Sequence, residues 1–129
     1  MPNRSATNAR LVPALLSSDL SRTANFYASL GFDTEYPDGK DQPVHRLSFN
    51  RDGITLFFSD RPTRPGQTPT LSGTLYAFPD DVDALAAEWR GKVTFLWGPE
   101  LMPYGLYEFG FADPDGYHLA FAERRQAAP

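Results

Sequence analysis

Two histidines, His45 and His118, and no cysteine are what this chain of 129 residues offers for metal or nucleophilic chemistry. The missing thiols remove disulfides, thiolate metal sites and cysteine nucleophiles together. Neither histidine is spaced with a second ligand on its own strand or helix. The one metal set that can be assembled is therefore a makeshift one from His45, His118 and Glu108. The plainer reading puts His118 on the surface of a hairpin and His45 at an edge-facing strand position. No Gly-x-Ser-x-Gly elbow occurs, and neither histidine sits with a serine and an aspartate in a familiar catalytic arrangement. What the chain has in excess is rings: ten Phe, six Tyr and two Trp, more than one small core needs. Trp97, Tyr104 and Tyr107 offer faces for planar heteroaromatic groups, each worth about 0.5 to 1.5 kcal/mol beyond area burial. Trp97 also reads as a plain core or interface residue, and Trp89 falls on the apolar side of a helix.

Composition narrows the classes further. The length suits one domain with a real core. A net charge of −4 without a basic stripe argues against nucleic acid as a partner. No signal-like segment or membrane-length apolar run is visible, so a cytoplasmic protein with no membrane partner is expected.

The element with the most explicit local chemistry is the stretch from Tyr104 to Glu123. At its centre, Asp113-Pro114-Asp115-Gly116 combines a proline suited to a type I turn with a glycine for positive φ, which predicts a hairpin. Upstream, Leu11–Ser17 predicts a strand, and Ser18 or Asp19 can cap a helix ending at Leu30, with Leu20, Ala24, Tyr27 and Leu30 on one face and Gly31 closing it. Phe32–Tyr36, Val44–Phe49 and Ile54–Ser59 follow as strands, the last two around a turn ending in Asp52-Gly53. Residues 61–70 carry prolines and no period, and so read as a linker. The order then repeats: strand Leu71–Phe78, helix Asp80–Arg90 with Val82, Leu85, Ala86 and Trp89 on one face, Gly91, strand Val93–Trp97 and the hairpin. Gly31 and Gly91 mark copies about 60 residues apart. The fold class expected is α+β, with two βαβββ modules forming a curved mixed sheet whose helix-free face lines a cleft. The layout is an N-terminal arm 1–9, a first module 10–60, the linker 61–70, a second module 71–123 and a tail 124–129, one domain overall.

The segments Leu11–Leu20, Phe26-Tyr27-Ala28-Ser29-Leu30-Gly31-Phe32, Tyr104–Phe109 and Asp113–Gly116 resemble the vicinal oxygen chelate superfamily, which includes glyoxalases, dioxygenases and bleomycin resistance proteins. Within it they look most like the last of these, over about residues 10 to 123. The resemblance implies a homodimer with ligand sites in its clefts. For residues 1 to 13 it implies an N-terminal arm exchanged between subunits, Pro13 matching a proline of that arm; an ordinary proline at a strand edge is the alternative.

Enzymes of this superfamily hold a divalent metal with His and Glu at four recurring places. Matched residue by residue, these fall here at Val12, Thr55, Thr74 and Ala120, none of which is a His or a carboxylate. The reading is therefore of a protein without metal, cofactor or catalytic residues, in which Glu108 is a structural hydrogen-bond acceptor, with a role as buried base the alternative. If Thr55, Thr74 and Ala120 face the cleft, strand parity brings Phe57, Tyr76, Phe78 and His118 there and turns Ile54, Leu56, Leu75, Leu119 and Phe121 to the helices. With Trp97, Tyr104 and Tyr107, these are the expected ligand-binding residues. Tyr104 replaces a tryptophan common in the family. The function implied is sequestration of a bleomycin-like glycopeptide or a DNA-intercalating aromatic peptide antibiotic. An enzyme with a non-standard metal site, or a metabolite-binding domain, is the alternative.

Overall fold

Two aspartates start the two helices. The Asp19 side chain accepts from the Arg22 backbone N–H, and Asp81 from that of Ala84, each at 3.0 Å. In the computed structural model, which describes residues 9–125, these caps open α1 (Leu20–Ser29) and α2 (Val82–Trp89). The strands are β1 (Ala14–Leu16), β2 (Asp33–Glu35), β3 (Arg46–Arg51), β4 (Ile54–Ser59), β5 (Thr74–Ala77), β6 (Trp97–Leu101), β7 (Leu106–Ala112) and β8 (His118–Arg124). Each βαβββ module builds its own four-stranded mixed sheet, in the orders β1-β4-β3-β2 and β5-β8-β7-β6. The first strand of each pairs in parallel with the last. No helix among the described residues is long and apolar enough to cross a membrane. The arm expected over residues 1–9 and the tail over 124–129 lie mostly outside the described residues.

Side-chain parity decides what is buried. Leu56 and Phe58 on β4, Phe109 and Phe111 on β7, and Leu119 and Phe121 on β8 turn toward the helices. They meet Leu20, Tyr27 and Leu30 on one side and Val82, Ala86 and Trp89 on the other, in one core that spans both modules. Each fully buried large apolar side chain here contributes on the order of 1.5 to 3 kcal/mol.

Several strands are shorter than expected, β1 being Ala14–Leu16 and β5 Thr74–Ala77, and two boundaries shift in ways that reshape a turn or move a site residue. β3 runs on to Arg51, so the β3–β4 turn shrinks to Asp52 (φ 48°) and Gly53 (φ 85°), the paired positive φ of a two-residue hairpin. The second strand of the second module is Trp97–Leu101, not Val93–Trp97, so Trp97 begins that strand rather than ending one. The apolar run after α2 is spent otherwise: the N–H groups of Lys92 and Val93 both return to the Trp89 carbonyl, and Val93 and Phe95 pack on the core from a non-strand segment.

The tip of the last hairpin clasps the first module. The buried Asp113 carboxylate accepts from the Tyr27 hydroxyl at 2.8 Å and from the backbone N–H groups of Asp115 and Tyr117 at 2.9 and 3.1 Å. Asp115 accepts from the Ser18 backbone and hydroxyl, and the Tyr117 hydroxyl donates to the Leu16 carbonyl at 2.7 Å. Burial lifts the Asp113 carboxyl above its ordinary value despite these bonds, and burial beside Asp113 lifts the Tyr27 phenol.

Candidate functional site

The helix-free face of the second sheet is built from one large–small–small–large row. Register places Trp97 beside Gly110, Gly110 beside Ala120, and Ala120 beside Tyr76, running β6-β7-β8-β5. The middle is a floor too shallow to hold the edge rings apart, so they lean inward. A Cβ on Gly110 would lie 2.0 Å from the Trp97 ring, which shows how flat the indole rests on the backbone there. Ala120 and Ala122 are fully buried beneath this cover. The face expected to be bare is thus roofed by the protein's own side chains.

The rings converge on Glu108, which is fully buried. Its carboxylate accepts from the Trp97 indole N–H at 2.8 Å, from the Tyr76 hydroxyl at 3.0 and 3.2 Å, and from the Tyr104 hydroxyl at 2.5 Å. Four donor contacts from three groups suit an acceptor-only carboxylate and offset its loss of water. The hydrogen bond to Glu108, more than any other influence, raises the Tyr104 phenol above its ordinary value. The outer sides of the rings stay open: Tyr76 is 43% exposed, Tyr104 56% and Phe78 63%. Tyr76 and Phe78 lie 6.3 Å apart at an interplanar angle of 27°, and His118 faces Trp97 at 6.1 Å.

Strand parity thus gathers Tyr76, Phe78, Trp97, Tyr104 and His118 on or beside one face. Thr55 and Thr74 border a crevice of about 560 Å³ between the modules, together with Tyr76 and Phe78. Phe57 is placed apart, in a cleft of about 690 Å³ on the first module with His45, Arg46 and Arg61. Tyr107 is a correction. It shares parity with Phe109 and Phe111, so it stands on the helix side of β7, where its hydroxyl donates to Asp83 at 2.6 Å and the Arg125 guanidinium covers its ring at 3.6 Å. Its closeness to Tyr104 in the chain hid this, although alternation along β7 was enough to find it. Glu108 is the hydrogen-bond acceptor the sequence suggests, but its three ring donors and the Gly110 floor are not signalled by any one stretch of sequence.

The first module's corresponding face is polar. Arg10 donates to Thr55 at 3.2 Å, Thr55 to Asn50 at 2.8 Å and Asn50 to Ser48 at 3.4 Å. The makeshift metal set does not assemble, because His45 is engaged by Asp60 and Arg61 on this module while Glu108 is enclosed on the other. Among the described residues no group of three His, Cys, Asp or Glu is placed to hold a metal. The four superfamily metal places do not fit one either: Ala120 lies sealed under the rings, the Thr55 hydroxyl is committed to Asn50, and Val12 and Thr74 supply no charge.

The paired modules and helix-free faces define a class. The sequence profile of the glyoxalase/bleomycin resistance protein/dioxygenase superfamily matches residues 10–121, and the chain belongs to that superfamily. Among solved structures it is similar to a bleomycin-binding protein complexed with bleomycin, with 23% identity over 92% of this chain and 100% of that one and a TM-score of 0.71. The bleomycin resistance determinant encoded on the transposon Tn5 gives the same figures. Lactoylglutathione lyase from Agrobacterium tumefaciens is similar at 19% identity over 92% and 96% of the two chains, with a TM-score of 0.67. At these identities the likeness carries the fold. No curated protein sequence matches the chain.

Proposed function

We propose that this protein binds and sequesters a large, flat, aromatic antibiotic of the bleomycin or DNA-intercalating peptide type, without a metal and without making or breaking a bond. One observation carries the reading: three aromatic donors fixed to a buried carboxylate, Trp97, Tyr76 and Tyr104 on Glu108, hold ring faces open to solvent. Anchored rings lose little freedom on binding, which favours stacking over a mobile surface. The working form is a homodimer in which a second copy covers the apolar side chains left outside, among them Leu11 at 98% exposure. Capture lowers free drug by mass action and so requires tight binding.

Titration of the purified protein with bleomycins and aromatic peptide antibiotics, followed by tryptophan emission, tests the reading. Saturable quenching with a dissociation constant below about 1 μM is expected. Absence of binding at that level across the panel would end it. Metal analysis separates the enzymatic alternative, for which one tightly held divalent ion per site is expected.

A further inference from the structure

The ring-lined face carries a charge that the chain itself does not answer. Glu108 is fully buried, yet its oxygens accept only from neutral groups, the Trp97 indole and the Tyr76 and Tyr104 phenols. Among the described residues no lysine, arginine or histidine nitrogen forms an ion pair with it; the other ion pairs lie elsewhere. Arg124 shares the face two positions beyond Ala122 on β8 but remains exposed. A buried carboxylate usually finds a cation, because its desolvation must be offset. Neutral donors offset the desolvation and leave the net charge in place.

The same donors arrange what lies in front of that charge. Each is the edge or hydroxyl of an aromatic ring, so fixing the hydrogen bonds to Glu108 also fixes the rings around it. Ring faces carry negative quadrupole density, which attracts cations, most of all those that shed water easily. Before Tyr76, Tyr104 and Trp97 the ring faces and the buried carboxylate behind them act with the same sign. The polar first-module face, with Arg46 and Arg61, offers nothing comparable.

We infer that this face is an organic-cation site, taking a planar ligand through a delocalised positive charge, such as a protonated or quaternised heteroaromatic ring, laid against Tyr76, Tyr104 and Trp97 with Glu108 behind them. The inference rests on the proposed capture of flat aromatic ligands and adds the charge they carry. Glu108 acts as a specificity residue through its charge and as a positioning residue through the three rings.

Calorimetric titration with N-methylacridinium and with acridine, at a pH where acridine is neutral, compares two ligands of nearly the same shape that differ in charge. The cation is expected to bind about tenfold tighter or more. In Glu108→Gln, which keeps an acceptor for the rings and removes the charge, that ratio is expected to fall to about twofold or less. Equal binding of both dyes by the unaltered protein overturns the cation site and leaves flat-ligand capture standing. Binding of neither dye overturns both. A preference that survives Glu108→Gln overturns the role given to Glu108. Should that variant not fold, Tyr104→Leu, at a mostly exposed position, decides: a cation preference left intact there overturns the assignment to these rings.

Discussion

Arg51 and Trp89, one from each module, donate to the same carbonyl oxygen. The Arg51 guanidinium reaches the Leu30 carbonyl at 2.6 Å and the Trp89 indole N–H reaches it at 3.1 Å, with the guanidinium 5.4 Å from the indole ring centroid. Arg51 also grips Glu88 with two nitrogens, at 2.6 and 2.9 Å. The Leu30 carbonyl, beyond the last turn of α1 and without a helical partner, is thereby satisfied by its own module through Arg51 and by the other through Trp89. Trp89→Phe removes one donor from a buried acceptor while keeping most of the ring. We expect it to lower unfolding stability by about 1 to 2 kcal/mol, read by urea denaturation. Combined with Arg51→Leu, the two effects should be non-additive, since both act on one oxygen.

Gly110 is the floor on which Trp97 lies. Any side chain there meets the indole, so Gly110→Ala should push Trp97 out of reach of Glu108 and weaken aromatic ligand binding by about tenfold. Its marker is a changed emission of Trp97 in the free protein, distinguishable because Trp89 stays enclosed in the core. Unchanged emission and affinity would show that the flat seat has no role.

Tyr104 and Tyr107 are close in sequence and stand on opposite faces of the sheet. Tyr104→Ala is expected to reduce ligand affinity by about twofold to thirteenfold, in line with loss of one stacking ring, and Tyr107→Ala to leave it unchanged. The reverse pattern, measured by the same titration, would place the ligand against the helices.

Alkaline pH should loosen the fold. Burial raises the phenols of Tyr27 and Tyr117, and hydrogen bonds to Glu108 and Asp83 raise those of Tyr104 and Tyr107. Because the folded values are raised, the stability these groups contribute is present in full below the ordinary 10.0 and is lost as pH climbs past it toward the folded values. Urea midpoints measured at about pH 9 and about pH 11 should fall, and Tyr27→Phe should flatten that fall. A flat profile in the parent protein would contradict it.

The helices were legible because their signals are local: an aspartate at each start, a glycine after each end, and apolar residues recurring at helical spacing between them. The core followed from period-two alternation on β4, β7 and β8. β6 was misplaced because Val93-Thr94-Phe95-Leu96 has strand composition, while its pairing depends on what β7 leaves open; at Gly98 a Cβ would come within 2.0 Å of the Glu108 carbonyl oxygen. The Glu108 hub was hidden for a similar reason. It depends on Gly110, Ala120, Tyr76 and Trp97 sharing one row across four strands, and no single window of the sequence contains that row. Small residues on a strand face read as an empty surface until the register shows which rings fold over them.

The clasp between Tyr27 and Asp113 spans 86 residues, and that between Leu16 and Tyr117 spans 101. Both partners in the first module are made early in synthesis and both in the second late. A chain that has formed α1 alone has only water to accept from the Tyr27 hydroxyl, and Asp113 replaces that water once the β7–β8 hairpin is in place. The first module is therefore completed by strands of the second, and the clasp couples the two halves across nearly the whole described chain.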